Sequence, residues 1–141
     1  SAGGYTTLCA LAFHTVFRAG ASLYGVSDPI ALSAATHKFE SDYLDWLIGD
    51  PEEDIERYKA RTPLLHAGNI RVPVIFFQGE LDAVVVPEQT RAMLHALQAK
   101  GIPAEAHFYP DERHGFRKAT NQADALEKEW AFYRKVIDGA V

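Results

Sequence analysis

The stretch Val72-Pro73-Val74-Ile75-Phe76-Phe77-Gln78-Gly79 constrains the fold more than any other part of the chain. A run of β-branched and aromatic residues without polar alternation suits a strand buried on both faces. Strands of that kind belong to parallel sheets covered by helices. The segments around it agree. Residues 87–100 have helical spacing, with Met93, Leu94 and Leu97 turned inward and Gly101 as the stop. Residues 104–109 read as a second strand. Residues 120–137 read as the best helix, with Leu126, Trp130, Tyr133 and Ile137 on one stripe.

Upstream, residues 3–14 read as a helix and residues 18–25 as a short buried strand. Asp28-Pro29 opens a broken helical stretch to Gly49, whose apolar face is Phe39, Tyr43, Leu44 and Leu47. After an acidic turn, residues 55–62 make a short helix. Strands alternating with helices mean an α/β fold with a parallel sheet. Three strands are few for such a sheet. The pattern therefore predicts one partial domain over residues 1–141, with its N-terminal strands missing from the chain. The sheet edge this leaves free is expected to make a homo-oligomer.

Composition narrows the partners. Fourteen Lys and Arg stand against 19 Asp and Glu, for a formal charge of −5, and no basic block occurs. That argues against a nucleic-acid partner. No apolar run approaches the roughly 20 residues of a membrane helix, so no membrane partner is expected. A single cysteine, Cys9, permits no internal disulfide, and a cytoplasmic location is expected.

The chemistry lies in three short segments. Acyl transfer by serine needs a hydroxyl to attack, an imidazole to take its proton and a carboxylate to orient the imidazole. Ser1 stands before the first helix. Asp82 follows the strong strand, in Gly79-Glu80-Leu81-Asp82. His114 follows the last strand, in Asp111-Glu112-Arg113-His114-Gly115-Phe116. Each gap holds a helix and the next strand, as successive βα units require.

These segments carry a family resemblance. Ser1-Ala2-Gly3-Gly4-Tyr5 resembles the second half of the G-x-S-x-G-G-Y nucleophile elbow of prolyl oligopeptidase-like peptidases. Gly79-Glu80-Leu81-Asp82-Ala83-Val84-Val85 resembles their G-x-x-D-x-x-V segment, and His114-Gly115-Phe116 their H-G-F segment. The resemblance covers nearly the whole chain and is nearest to acylaminoacyl-peptidase and dipeptidyl-peptidase-like members. It implies the C-terminal half of an α/β-hydrolase fold, with Ser1 as nucleophile, Asp82 as orienting acid, His114 as base and the backbone N–H of Ala2 as one oxyanion donor. It implies Val26 and Val85 as walls of the substrate pocket, with Tyr24 and Phe39 as weaker pocket candidates. The substrate would be a peptide or acyl-peptide, and no cofactor or metal is needed. The first glycine of the elbow, the strand before it, the second oxyanion donor and the β-propeller usual in the family are not in the sequence. The chain alone is thus expected to be a poor catalyst.

Two other readings stay open: a carboxylesterase on the same fold, and a non-catalytic interaction domain derived from it. His14, His37, His66, His95 and His107 lack the convergent spacing of a zinc site. Cys9 reads as a small buried hydrophobe. Glu80 and Glu112 read as solvated charges, or as groups that bind a substrate amine. Trp46 and Trp130 read as packing residues.

Overall fold

The computed structural model describes residues 1–35 and 41–141, residues 41–43 by backbone alone. Phe39 and His37 lie outside the described residues, and so does the side chain of Tyr43. In chain order the elements are helix α1 (Ala2–Phe13), strand β1 (Gly20–Leu23), helices α2 (Pro29–Ala35), α3 (Ser41–Leu47) and α4 (Ile55–Ala60), a 3-10 helix (Pro63–Asn69), strand β2 (Val74–Gly79), helix α5 (Pro87–Gln98), strand β3 (Ala104–Tyr109) and helix α6 (Ala119–Ile137). Among the described residues the sheet is β1-β2-β3, parallel throughout. This is the α/β class that the apolar run predicts.

Every residue of β2 is buried, because helices cover both faces. Val74 and Phe76 meet Leu8 and Leu11 of α1 and Met93 and Leu97 of α5 on one side. Ile75 and Phe77 meet Tyr109, Ala125 and Phe132 on the other. The period-two alternation of a strand thus splits four consecutive apolar residues between two cores. Phe77 is fully buried and stacks on His107, ring centroids 5.6 Å apart. Phe77→Ala is expected to destabilise the protein by roughly 3–5 kcal/mol, read as a shift of the urea midpoint.

Of the α6 stripe in the sequence reading only Tyr133 packs on the core. Leu126, Trp130 and Ile137 are 70%, 61% and 72% exposed. The sheet instead takes Ala125 and Phe132, supported by Tyr133 and Val136. The helix carries two apolar stripes one residue apart, and periodicity alone does not say which one meets the sheet. Trp46 is exposed as well, so neither tryptophan is a core residue. Among the described residues, no helix is long and apolar enough to cross a membrane.

At its start α1 presses on the loop after β1. A Cβ at Gly4 would stand 2.5 Å from the Gly25 Cα, a separation that real side chains do not tolerate. Two glycines facing each other let the first turn of α1 reach residues 24–28. That brings Ser1 and Val26 to one end of the sheet, beyond the C-terminal ends of its strands.

Candidate active site

In open parallel sheets, functional groups gather outside the carboxyl ends of the strands. Here the loops after β2 and β3 are laced together there. The Glu80 N–H donates to Tyr109 O at 2.9 Å, and the Leu81 N–H donates to Glu112 O at 3.0 Å. The Asp82 side chain is fully buried between them. Its Oδ1 accepts the backbone N–H groups of Val84 and Val85, both at 2.9 Å, which closes its own turn. Its Oδ2 lies 2.8 Å from His114 Nδ1.

That contact has a chemical consequence. An ionised carboxylate only accepts hydrogen bonds, so the imidazole must carry its proton on Nδ1. Nε2 of the neutral ring is then left as a free acceptor, the state a general base requires. Gln78 steadies the Asp82 turn from below. Its Nε2 donates to Val85 O at 2.9 Å, while its Oε1 accepts the Thr90 hydroxyl at 2.7 Å.

Glu112 is not solvated; it is 3% exposed. It accepts the N–H groups of Arg117 and Lys118 at 3.0 and 3.1 Å and the Asn121 amide at 3.0 Å. The sequence reading missed this because Glu112 stands beside the charged Asp111 and Arg113 and has no pattern of its own. It bridges the His114 loop to residues 117 and 118, which lead into α6, and through the Asn121 amide to the first turn of that helix, where the helix dipole favours a negative charge. Burial opposes its ionisation. The Arg117 N–H, the Asn121 amide and the Lys118 N–H outweigh burial and hold the carboxyl below its ordinary value of 4.5. A lowered folded-state pKa gives stability that is full above the unfolded value and is lost as pH falls through the folded one. Glu112→Gln is therefore expected to lower the thermal midpoint at neutral pH. It should also flatten the midpoint's fall in acid below pH 4.5, as calorimetry across pH would show.

Ser1 precedes α1 and is exposed, and its carbonyl accepts the Tyr5 N–H at 3.0 Å. Ala2 is the first residue of α1, so its N–H has no intrahelical acceptor. Both border a cavity of about 450 Å³, walled by Val26, Leu32, Ile48 and Val85 among others. No hydrogen bond joins the Ser1 hydroxyl to His114 among the described residues. Asp82 and His114 are thus brought together, and Ser1 and Ala2 share a cavity wall with Val26 and Val85.

Tyr24 stands apart from that wall. Its ring packs edge-on against His114, centroids 5.3 Å apart. The loop that carries Val26 is held by a residue the sequence reading did not single out, Gln89 on α5. Gln89 Oε1 accepts the N–H groups of Ser27 and Asp28, both at 2.9 Å, and its Nε2 donates to Asp28 O at 2.9 Å. The one available signal was a polar residue four before Met93, on the inward face of α5. Glu80 is taken by Arg91, whose Nη2 lies 2.7 and 2.8 Å from its two carboxylate oxygens. Burial pushes the Cys9 thiol up, the opposite of what an activated nucleophile needs. Among the described residues, no group of three or more His, Cys, Asp or Glu side chains is arranged to hold a metal.

Comparison with known proteins places these features in a family. The model of the prolyl oligopeptidase family matches residues 1–140. Dipeptidyl peptidase family member 6 of Caenorhabditis elegans is 34% identical over 99% of this chain and 20% of its own length. Dipeptidyl aminopeptidase BIII of Pseudoxanthomonas mexicana is 32% identical over 86% of this chain and 18% of its own. The structure of a puromycin-hydrolyzing peptidase from Mycobacterium tuberculosis superimposes with a TM-score of 0.93 at 43% identity, over 96% of this chain and 21% of that one. The chain spans about a fifth of the length of each of these relatives. A match over almost the whole sequence, joined to a fold shared at this level of identity, leaves one assignment: the chain belongs to the prolyl oligopeptidase family.

Proposed function

We propose that this chain carries the catalytic residues of a serine hydrolase that cleaves peptide or acyl-amino bonds. Ser1 attacks the scissile carbonyl, His114 Nε2 takes the hydroxyl proton, and Asp82 holds the imidazole in the tautomer that permits this. The proton then passes from His114 to the leaving amine, and water repeats the cycle on the acyl-enzyme. The Ala2 N–H supports the oxyanion. The observation that carries the reading is the 2.8 Å contact between a fully buried Asp82 carboxylate and His114 Nδ1, at the sheet end where Ser1 borders a cavity. The apolar Val26 and Val85 in that cavity favour a substrate with a large apolar side chain on the acyl side. The peptidase names of the relatives support an amide substrate over an ester.

A fluorophosphonate probe tests the reading. Label on Ser1 in the full-length protein is expected, together with faster turnover of aminoacyl amides than the matched esters allow for an esterase. Amide turnover near zero beside rapid ester turnover would make the protein a carboxylesterase. Absence of label with a folded protein would make it a non-catalytic relative. Homo-oligomerisation through an exposed sheet edge belongs to the same reading, and sedimentation velocity checks it. Fractionation checks the cytoplasmic location.

A further inference from the structure

Tyr24 is the one residue other than glycine with positive φ among the described residues, at 42°. A side chain in the left-handed region is disfavoured, and residues held there tend to mark functional sites. The Tyr24 N–H still donates to Phe77 O at 2.7 Å, so the chain leaves β1 in register and turns sharply only afterwards. The turn does two things at once. It sets the Tyr24 ring against the His114 imidazole at 5.3 Å and 64°, and it sends Val26, two residues on, into the cavity wall.

The ring has a second partner. Phe116, on the same loop as His114, meets Tyr24 at 5.3 Å and 74° and is itself backed by Tyr109 at 4.8 Å. The hydrogen bond from His114 Nδ1 to Asp82 fixes one axis of the imidazole. A single hydrogen bond leaves the ring free to swing about that axis, and such a swing would carry Nε2 off its target. An aromatic ring packed edge-on, itself wedged by Phe116, removes that freedom.

We propose that Tyr24 is a positioning residue for His114, and that its left-handed backbone is the conformation that delivers the ring. The proposal rests on the catalytic reading of His114. It differs from a substrate-binding role for Tyr24, because the ring touches the base and does not wall the cavity. It also differs from a purely local turn requirement, which glycine or asparagine would meet as well as tyrosine.

Three variants of the full-length protein separate these roles. Tyr24→Asn and Tyr24→Gly both accept positive φ more readily than tyrosine and delete the ring. Each relieves the backbone and loses ring packing, so the thermal midpoint is expected to change only modestly while kcat falls roughly 10- to 100-fold, the loss that a small misplacement of a reacting group brings, with KM little changed. Tyr24→Phe is expected to restore kcat to within about twofold of wild type, since ring geometry and not the hydroxyl carries the contact. In proton NMR, the low-field His114 Nδ1 signal is expected to be sharp in wild type and Tyr24→Phe and broadened in Tyr24→Asn. Unchanged kcat in both ring deletions, or a rise confined to KM, overturns the proposal. If wild type itself takes no fluorophosphonate label, the catalytic reading fails. The Nδ1 signal then decides alone whether Tyr24 orders the imidazole: an equally sharp signal in Tyr24→Asn overturns it.

Discussion

Ser1→Ala in the full-length protein is expected to lower kcat by about 10⁶, and His114→Ala by about the same factor. The double variant should be no worse than either single one. In the proposed mechanism the three groups form one device: without the hydroxyl there is nothing for the imidazole to deprotonate, and without the imidazole the hydroxyl is a poor nucleophile at neutral pH. Asp82→Asn should cost roughly 10⁴. Asparagine fits the same space and can still accept the Val84 and Val85 N–H groups that close the turn. Presenting its amide to His114 forces the imidazole proton onto Nε2, the wrong tautomer for a base. Fluorophosphonate titration gives the active fraction and steady-state amide hydrolysis gives kcat. Additive losses, or more than a tenth of wild-type kcat surviving in Ser1→Ala, would remove Ser1 from the mechanism.

Gly79→Ala is expected to disable the site without touching any reacting atom. Gly79 ends β2, and a Cβ there would stand 2.4 Å from Glu112 O and 2.5 Å from Arg113 O. Both are backbone atoms of the loop that carries His114, so no side chain can swing aside to make room. Relief requires the two loops to part. Parting them breaks the Leu81 N–H to Glu112 O bond and draws His114 away from Asp82. Overpacking of this kind costs about 1–3 kcal/mol of stability, while a displacement of the base by about 1 Å costs around 100-fold in rate. The signature is a modest fall in thermal midpoint with a disproportionate fall in kcat. A Gly79→Ala protein with wild-type kcat would mean that the loops are less tightly laced than the hydrogen bonds imply.

The α/β class was legible because it rests on local patterns. Residues 74–79 are apolar without alternation, and helical spacing on either side of them leaves few alternatives. Asp28-Pro29 and Gly101 marked helix limits by chemistry that acts within a few residues. Failures came where two local patterns competed. On α6, Leu126, Trp130 and Ile137 have the spacing of an inward stripe, yet Ala125 and Phe132 meet the sheet. Which stripe meets the sheet depends on the surface opposite, which helical periodicity does not contain.

The site divides in the same way. The sequence by itself determined the order Ser1, Asp82, His114 and their places at the ends of elements, since each belongs to a short motif beside a strand or helix. Tertiary structure alone decided what those residues touch. Asp82 meets His114 because β3 pairs with β2 in a register that sets Gly79 beside Tyr109, which brings their following loops side by side. Glu112 becomes a buried bridge to α6 and Gln89 a clamp on residues 27 and 28. Tyr24 turns from the cavity to the imidazole through one left-handed residue. Hydrogen bonds and ring contacts between residues tens of positions apart depend on where the chain returns, and neighbouring residues carry no record of that.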